Sequence, residues 1–238
     1  MAEIAVAYDV GTLEQALELD HKLGEGPEIA KVGLELFTAA GPEAVRALRE
    51  RGRRVFLDLK LHDIPNTVRG AAAAAARLGV ELLTVHAFGG REMVAAAVEG
   101  VSSVGGDTRI IAVTVLTSLD GYNLPPGLAS PFWPMMVIPA QLAMAESAGA
   151  AGIVCSAADL PGLKAGRRGK PFFAVTPGIR PAGMERDDQK RVTTVGEAVA
   201  AGAAVVVLGR AVTSALDPRA ALAEARRECA EAAVALQG

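Results

Sequence analysis

The chain has 238 residues, of which 51% are hydrophobic and 21% charged, so it can bury a core large enough for one large domain or two small ones. A net charge of -3 and a pI near 5.7 provide no electrostatic footprint for a nucleic-acid partner. An anionic substrate would therefore need local positive groups, because the overall field of the protein does not attract it.

We expect a cytoplasmic chain that does not enter a membrane. Met1–Asp9 contains acidic residues and lacks the basic segment that opens a signal peptide. The uncharged segment Gly121–Ala145 contains five prolines, which would break a spanning helix repeatedly. Cys155 and Cys229 form no CxxC or metal-like pattern, so we expect buried free thiols in a reducing compartment.

Short apolar runs alternate with alanine-rich amphipathic segments along the whole chain. The runs predict strands at Ile4–Tyr8, Ile29–Val32, Val55–Lys60, Leu82–His86, Arg109–Leu116, Gly152–Cys155, Phe172–Thr176 and Ala204–Leu208. The segments between and after them predict helices at Thr12–Leu23, Gly41–Arg51, Thr67–Leu78, Arg91–Val101, Val137–Ala148, Ala157–Ala165, Val195–Ala201 and Pro218–Leu236.

Eight such units with nearly continuous apolar strands predict an α/β fold, a (β/α)8 barrel in one domain covering 1–238. An open doubly wound sheet is the alternative, but no GxGxxG motif follows the first strand. In a barrel, catalytic groups lie at the carboxyl ends of the strands. The polar residues of this chain cluster at those predicted ends.

The third predicted strand carries an unusual set of charges. Asp58 and Lys60 are two residues apart, so on a strand they point to the same side, and Asp63 follows before Pro65 ends the extension. Buried charges of this kind must be paired, hydrated or used in chemistry. One reading is a salt-bridge cluster that closes an end of the barrel. The other is a lysine held as an ammonium by carboxylates, which can act as a general acid toward a forming carbanion.

A phosphate site is predicted where the eighth strand runs into Gly209-Arg210. Backbone N–H groups at a helix start bind phosphate, and the loops after strands seven and eight of a barrel commonly form such a site. Arg180, after strand seven, would supply a second cation, although both arginines could instead be ordinary surface residues.

Two further charges stand at strand positions. Lys31 lies in an apolar strand and needs a partner, which Asp9 or Asp58 could supply. Asp9 by itself could be a turn or capping residue. His62 and His86 receive no catalytic role, and no cluster of metal ligands is visible, so we predict no metal.

At this point the chain resembles the bacterial orotidine 5′-phosphate decarboxylase family over almost its whole length. The stretch from Asp58 to Thr67, DLKLHDIPNT, resembles the signature of that family, with Leu61 where phenylalanine is common. The chain also departs from the family pattern at Tyr8, where leucine is common, and in the proline-rich loop Gly121–Trp133. Other shared segments occur in the same order: Leu116–Ser118, Val154–Ser156, Thr176–Pro181, Asp188–Gln189 and Gly209–Arg210.

The resemblance implies a cofactor-free decarboxylation of orotidine 5′-monophosphate to UMP by a homodimer with shared active sites. Lys60 is implied as the proton donor to C6 of the pyrimidine, with Asp58 beside the departing carboxylate. The resemblance further implies that Asp63, Ile64, Pro65 and Thr67 reach the site of the other subunit. The implied substrate contacts are Asp9 and Lys31 to the ribose, Thr117 and Ser118 to the base, Gln189 to base and phosphate, and Arg180, Gly209 and Arg210 to the phosphate.

Two other functions remain open from the sequence alone. One is a decarboxylase or aldolase of sugar phosphates on the same barrel, which would usually need a divalent metal. The other is a non-catalytic nucleotide-binding barrel, whose expected mark is loss of Lys60 or Asp63, and both residues are present.

Overall fold

Eight parallel strands form a closed barrel in the computed structural model, which describes residues 2–117, 119, 135–168, 170–180 and 193–236. The barrel strands are β1 (Glu3–Ala7), β2 (Ile29–Gly33), β3 (Arg54–Leu61), β4 (Leu82–His86), β5 (Arg109–Val113), β6 (Gly152–Val154), β7 (Phe173–Arg180) and β9 (Val205–Leu208). A ninth, short strand, β8 (Thr193–Thr194), pairs with the end of β7. Pairing runs in the order β6-β5-β4-β3-β2-β1-β9-β7, and β6 also pairs with β7. The closed ring confirms the predicted (β/α)8 barrel and rules out the open doubly wound sheet.

The helices surround this ring. They are α1 (Leu13–Leu23), α2 (Leu34–Ala40), α3 (Pro42–Glu50), α4 (Pro65–Arg77), α5 (Gly90–Ser102), α6 (Val137–Ser147), α7 (Leu160–Gly166), α8 (Val195–Ala201), α9 (Arg210–Thr213) and α10 (Pro218–Ala235). Short 3-10 turns precede α5 and α7, at Ala87–Gly89 and Ala157–Asp159. The sequence pattern predicts eight of these helices to within a few residues, whereas α2 and α9 were not predicted.

Two strands differ in length from the prediction by three residues, and the reason lies in their neighbours. β5 ends at Val113, not at the predicted Leu116, because β6 pairs with it only as far as Val154. β7 continues past Thr176 to Arg180 because its end pairs with both β8 and β9. Strand length in a barrel therefore depends on the adjacent strands as well as on the local run of apolar residues.

Local hydrogen bonds explain where the first helix begins. The side chain of Thr12 accepts a hydrogen bond from the backbone N–H of Gln15 at 3.2 Å, which makes Thr12 the N-cap of α1. The side chain of Gln15 accepts from the backbone N–H of Gly11 at 3.1 Å, one residue before the cap. The turn that follows Asp9 is thus tied to the helix by two side chains.

Side chains alternate between two apolar layers along each strand. One face of every strand packs against the helices in the larger cluster, which includes Val55 and Leu57 of β3. The other face fills the inside of the barrel, where Phe56 lies with alanine, valine, leucine and isoleucine side chains from the other strands. Lys31, Asp58 and Thr84 follow these inward positions at two-residue spacing toward the carboxyl ends. The core therefore supports a polar layer directly above it.

A second set of charges lies at the opposite, amino-terminal end of the strands. We call Glu3, Arg54, Glu81 and Arg109 the amino-end network. Arg54 bonds to Glu3 at 2.5 Å and to Glu81 at 2.5 Å, and Arg109 bonds to Glu81 at 2.6 Å. A salt-bridge cluster of the kind considered for Asp58 and Lys60 thus exists in the barrel, but at its other end.

Two further features of the described residues are the state of the cysteines and the length of the apolar helices. Cys155 and Cys229 are both free and buried, as predicted, and burial raises the pKa of each thiol. Within the described part of the chain, no helix is long and apolar enough to span a membrane.

Candidate active site

Four charged side chains form a continuous chain across the carboxyl ends of β1, β2 and β3. The Lys31 Nζ atom lies 3.0 Å from Asp9 Oδ1 and 3.7 Å from Asp58 Oδ2. The Lys60 Nζ atom lies 2.8 Å from the same Asp58 Oδ2. We call Asp9, Lys31, Asp58 and Lys60 the carboxyl-end network. Lys31 therefore pairs with both of the partners that the sequence offered, and Asp58 stands between two ammonium groups.

Burial changes along the carboxyl-end network. The side chains of Lys31 and Asp58 are 9% and 13% exposed, whereas those of Lys60 and Asp9 are 32% and 55% exposed. Each member of the inner pair also has a closer partner in the outer pair, Asp9 for Lys31 and Lys60 for Asp58, so every buried charge of the network is paired. The outer members face the space above the barrel, where a ligand can reach them.

The backbone at Lys60 is not that of a regular strand. Its φ is 49°, in the left-handed region, and the pairing between β3 and β4 shifts register between Leu57 and Leu61. A non-glycine residue held there costs about 1–3 kcal/mol, and such strain clusters at functional sites. Asp58 and Lys60 do meet on one side, as their spacing predicted, but through this irregular segment.

Thr84 is a site residue that the sequence analysis missed. It is fully buried on β4, its hydroxyl donates to Asp58 Oδ1 at 2.8 Å, and it accepts from the backbone N–H of Lys60 at 2.8 Å. The available signal was a hydroxyl within the apolar run of β4, at an inward-facing position two residues before the strand end.

Gly33, the last residue of β2, was also missed. A Cβ atom at Gly33 would lie 2.7 Å from Asp9 Oδ1 and 3.1 Å from Lys31 Nζ. The first separation is shorter than real Cβ contacts, so glycine is needed here for space and not for its φ, which is -93°. The Asp9–Lys31 pair thus depends on the absence of a side chain at position 33.

Two adjoining cavities open above the carboxyl-end network. The first is lined by Lys31, Asp58, Lys60 and Thr117 on its polar side. The second is lined by Asp9, Gly209 and Arg210, with Gly178 and Ile179 from β7. Val207 of β9 lines both cavities. The apolar wall of the first cavity is formed by Phe56, Val113, Val115, Leu116, Val154, Val175, Pro177 and Val207.

The predicted phosphate residues are only partly described. Arg210 begins α9 directly after Gly209, and both line the second cavity. Among the described residues, none apart from the chain neighbours would have an atom within 4 Å of a Cβ atom at Gly209. Arg180 is the last residue of β7, and its side chain lies outside the described part, as do Gln189 and Ser118.

Asp63 is not among the residues that the described ion pairs join into the carboxyl-end network. It is exposed, and its Oδ1 atom accepts a hydrogen bond from the backbone N–H of Ile64 at 2.6 Å. Pro65 then starts α4, earlier than the predicted Thr67, which is exposed on its first turn. Ile64 is 67% exposed, which is unusual for a large apolar side chain. Among the ion pairs of the described residues, none joins Asp63 to Lys60.

Two histidines stack beside Lys60. The rings of His62 and His86 are 5.4 Å apart with an interplanar angle of 25°. His86 Nδ1 accepts from the backbone N–H of Phe88 at 3.4 Å. Burial lowers the pKa of His86, and the nearby His62 and Lys60 lower it further, so the ring is neutral at physiological pH.

Tyr8 precedes Asp9 but points away from the cavities. It is fully buried in the layer between barrel and helices, and its hydroxyl donates to Asp20 Oδ1 at 2.8 Å. Arg53 bonds to the same carboxylate at 2.7 Å. Burial raises the pKa of Tyr8 far above its usual value. Tyr8 therefore links the end of β1 to Asp20 of α1. It is not among the described residues that line either cavity.

The chemistry of the site follows from its composition. A lysine ammonium can donate a proton, an aspartate beside it keeps it in place, and an apolar wall excludes water from the reacting atoms. In the portion of the chain that the structure describes, no group of three or more His, Cys, Asp or Glu side chains could hold a metal ion.

Comparison with known proteins connects this geometry to one family. The family described as "Orotidine 5'-phosphate decarboxylase / HUMPS family" matches residues 2–225. A protein of Anaeromyxobacter sp. (strain K) named orotidine 5'-phosphate decarboxylase is 52% identical over 219 residues, covering 92% of this chain and 94% of that protein. One of the same name from Chromohalobacter salexigens is 47% identical over 229 residues, covering 96% of each chain.

Solved structures show the same likeness. The crystal structure of orotidine 5'-phosphate decarboxylase from Lactobacillus acidophilus superposes with a TM-score of 0.83 at 35% identity, covering 96% of this chain and 99% of that chain. An uncharacterized conserved protein from Geobacillus kaustophilus gives a TM-score of 0.80 at 36% identity, covering 95% and 99%. The chain therefore belongs to the orotidine 5′-phosphate decarboxylase / HUMPS family.

Proposed function

We propose that this chain decarboxylates orotidine 5′-monophosphate to UMP and CO2, without a cofactor, in the synthesis of pyrimidines. The observation that carries the proposal is the Lys60–Asp58 pair at 2.8 Å, placed in an apolar-walled cavity that adjoins the Gly209–Arg210 cavity. Such a pair suits a reaction in which negative charge develops on carbon. The adjoining cavity suits a phosphate attached to the same substrate.

Lys60 is the proposed catalytic acid. Breaking the bond between C6 and the carboxylate leaves the electron pair of that bond on C6 and releases CO2. No neighbouring carbonyl can take up this electron pair, so a fixed positive charge must stabilise it. The ammonium of Lys60 then gives a proton to C6, which forms UMP and leaves a neutral amine. Asp58 holds the ammonium and lies beside the departing carboxylate.

The rest of the substrate spans the two cavities in this proposal. Asp9 lines one cavity and Lys31 the other, and their contact at 3.0 Å supports a ribose bound between them. The base lies against the valine-rich wall with Thr117 and Ser118 at its polar edge. The phosphate is held by Arg180, Gln189, Gly209 and Arg210. Binding energy from the phosphate contributes to orienting the distant reacting carbon.

The proposal includes a homodimer with shared sites, in which Asp63, Ile64, Pro65 and Thr67 complete the site of the partner. Its support is that Asp63 and Ile64 are exposed at the start of α4 and that, among the ion pairs of the described residues, none joins Asp63 to Lys60. The proposed partners are thus a second copy of the chain and a small-molecule substrate, with no nucleic acid and no membrane.

Turnover in the absence of metal tests the reaction directly. Orotidine 5′-monophosphate is added to protein in excess EDTA, and CO2 release is followed together with the change in pyrimidine absorbance. Full activity supports the proposal, since sugar-phosphate decarboxylases and aldolases of this barrel class usually need a divalent metal. Activity that appears only after metal is added would contradict the cofactor-free part of the proposal, and no activity under either condition would refute decarboxylation of this substrate.

Mixed subunits test the shared site. Neither Lys60→Ala nor Asp63→Ala protein should be active alone, but a mixture contains dimers in which one site has both residues intact. With free subunit exchange, we expect about a quarter of wild-type activity, because half of the dimers are mixed and each has one intact site. Absence of recovery, with exchange shown by differently tagged subunits, would contradict a shared site.

A further inference from the structure

Thr84 lies where its hydroxyl touches both members of the Lys60–Asp58 pair. Its Oγ1 atom donates to Asp58 Oδ1 at 2.8 Å and accepts from the Lys60 backbone N–H at 2.8 Å. The residue is fully buried, so water does not compete for these bonds. One hydroxyl group thereby connects the carboxylate of one residue to the backbone of the other.

The first bond determines how the Asp58 carboxylate is turned. Oδ1 is occupied by the Thr84 hydroxyl, which leaves Oδ2 to contact Lys60 Nζ at 2.8 Å and Lys31 Nζ at 3.7 Å. A half-turn of the carboxylate would only exchange its two equivalent oxygens, whereas a smaller turn would weaken the contacts of both oxygens at once. The hydrogen bond from Thr84 therefore directs one oxygen toward both lysines.

The second bond gives the Lys60 N–H an acceptor at the point where the regular pairing of β3 with β4 is interrupted. Between the pairs Leu57–Leu83 and Leu61–Val85, β3 has three residues where β4 has only Thr84. The side-chain hydroxyl of Thr84 accepts the Lys60 N–H within this irregular segment. Lys60 has a φ of 49° there, a conformation that persists only when its surroundings enforce it.

We propose that Thr84 is a positioning residue that holds the Asp58 carboxylate and the strained Lys60 backbone in the geometry needed for proton transfer to the substrate. The expected effect on turnover rests on the proposed function. The expected effect on the positions of Asp58 and Lys60 rests only on the contacts of Thr84. Proton donors must be aimed closely, and a misplacement of about 1 Å can cost on the order of 100-fold in rate.

Thr84→Val tests the proposal, because valine keeps the shape of threonine and removes the hydroxyl. We expect kcat to fall by roughly 10- to 100-fold, while the Kd for UMP changes by less than about threefold, since the residues proposed to bind ribose and phosphate are untouched. Thr84→Ser keeps the hydroxyl and should recover kcat to within a few-fold of the wild type. If valine prevents folding, Thr84→Ala and Thr84→Ser provide the same comparison, because they differ only in the hydroxyl.

Thr108→Val is the matched control. Thr108 is also buried, and its hydroxyl donates to the Val80 carbonyl at 2.6 Å just before β5, at the amino end of the barrel. Its replacement should lower the Tm without lowering kcat. An equal loss of kcat in Thr84→Val and Thr108→Val would overturn the proposal, as would a Thr84→Val enzyme with wild-type kcat.

A crystal structure of the Thr84→Val protein separates this inference from the proposed function, because it needs no turnover. We expect Lys60 to leave the left-handed region or its Nζ atom to move away from Asp58 Oδ2. Unchanged φ and an unchanged contact would overturn the inference whatever the substrate is. Wild-type turnover of orotidine 5′-monophosphate tests the proposed function independently.

Discussion

The two ends of the barrel each carry a network of acidic and basic side chains, and the two networks are built from different residues. The amino-end network uses arginine and glutamate. Arg54 forms a fork with Glu81 through two of its nitrogens and reaches Glu3 with another, while Arg109 bonds to Glu81 and lies 4.5 Å from the Phe173 ring centroid. Its hydrogen bonds join β1, β3 and β5 at the amino-terminal ends of the strands.

The carboxyl-end network uses lysine and aspartate. A single Asp58 oxygen faces both Lys31 and Lys60, Lys60 has a left-handed backbone, and a cavity opens beside the pair. A strained backbone is a poor means of joining strands. The arrangement of the network leaves one ammonium directed at the space where a ligand would bind.

The difference in residue type shows which network can transfer protons. Arginine remains charged at all physiological pH values and presents a rigid fork, so it is suited to fixed pairing. Lysine carries a compact charge on a flexible stem and can give up its proton. Of the two networks, only the carboxyl-end one can therefore act as an acid, although both contain equal numbers of opposite charges.

The largest expected effect is at Lys60. Lys60→Ala removes the proposed proton donor, so we expect kcat to fall by about 100- to 10,000-fold or more, with a smaller change in the Kd for UMP. Steady-state kinetics and calorimetric titration measure the two quantities. Lys22→Ala, which removes a lysine whose side chain is 55% exposed on α1, is the control. Near-normal turnover by Lys60→Ala would show that Lys60 of the carboxyl-end network does not supply the proton.

A smaller effect is expected at Gly33. In Gly33→Ala the new Cβ displaces Asp9, which is 55% exposed and can move outward, so kcat/KM should fall by about 10-fold through KM, with little change in Tm. Asp9→Ala should have a similar effect, and the double variant should be no worse than either single one. Gly162→Ala, at an open position on α7, is the control. Additive losses would show that Gly33 acts on something other than Asp9.

The amino-end network should affect stability and not turnover. Arg54→Met keeps much of the apolar stem and removes the bonds to Glu3 and Glu81, so we expect a loss of about 1 kcal/mol, a decrease in Tm of about 2–4 °C for a domain of this size. Thermal unfolding followed by circular dichroism measures the shift, and kcat should equal that of the wild type. A decrease in kcat would mean that the amino-end network influences the candidate active site at the carboxyl ends of the strands.

The smallest effect is a pH dependence at Glu81. The hydrogen bond from Arg54 is the largest cause that lowers the pKa of Glu81 below its usual value of 4.5. Because the folded-state pKa is the lower one, the stabilisation is present above pH 4.5 and is lost as pH falls through the folded-state pKa. The difference in Tm between wild type and Glu81→Gln should therefore shrink in acid. A difference that stays constant down to pH 3 would contradict this linkage.

Sequence patterns predict a contact correctly where the spacing or the charge of the residues themselves indicates it. The two-residue spacing of Asp58 and Lys60, and the need of Lys31 for a partner, predict contacts that the structure shows. Thr84 and Gly33 could not be found in this way, since their importance comes from facing another strand at one irregular point. The proposed role of Asp63 depends on a second chain, which one sequence does not place. Helix α2 is not predicted from the sequence, because its seven residues follow β2 without a turn signal.

Val207 is a small side chain, yet it alone among the described lining residues belongs to both cavities. Two weakly binding fragments, one flat and apolar and one anionic, could therefore be joined by a short linker over this valine. Joining them makes the second contact intramolecular, with an effective concentration on the order of millimolar for a short linker. The same wall residue makes the site a suitable target for inhibitors assembled from two parts.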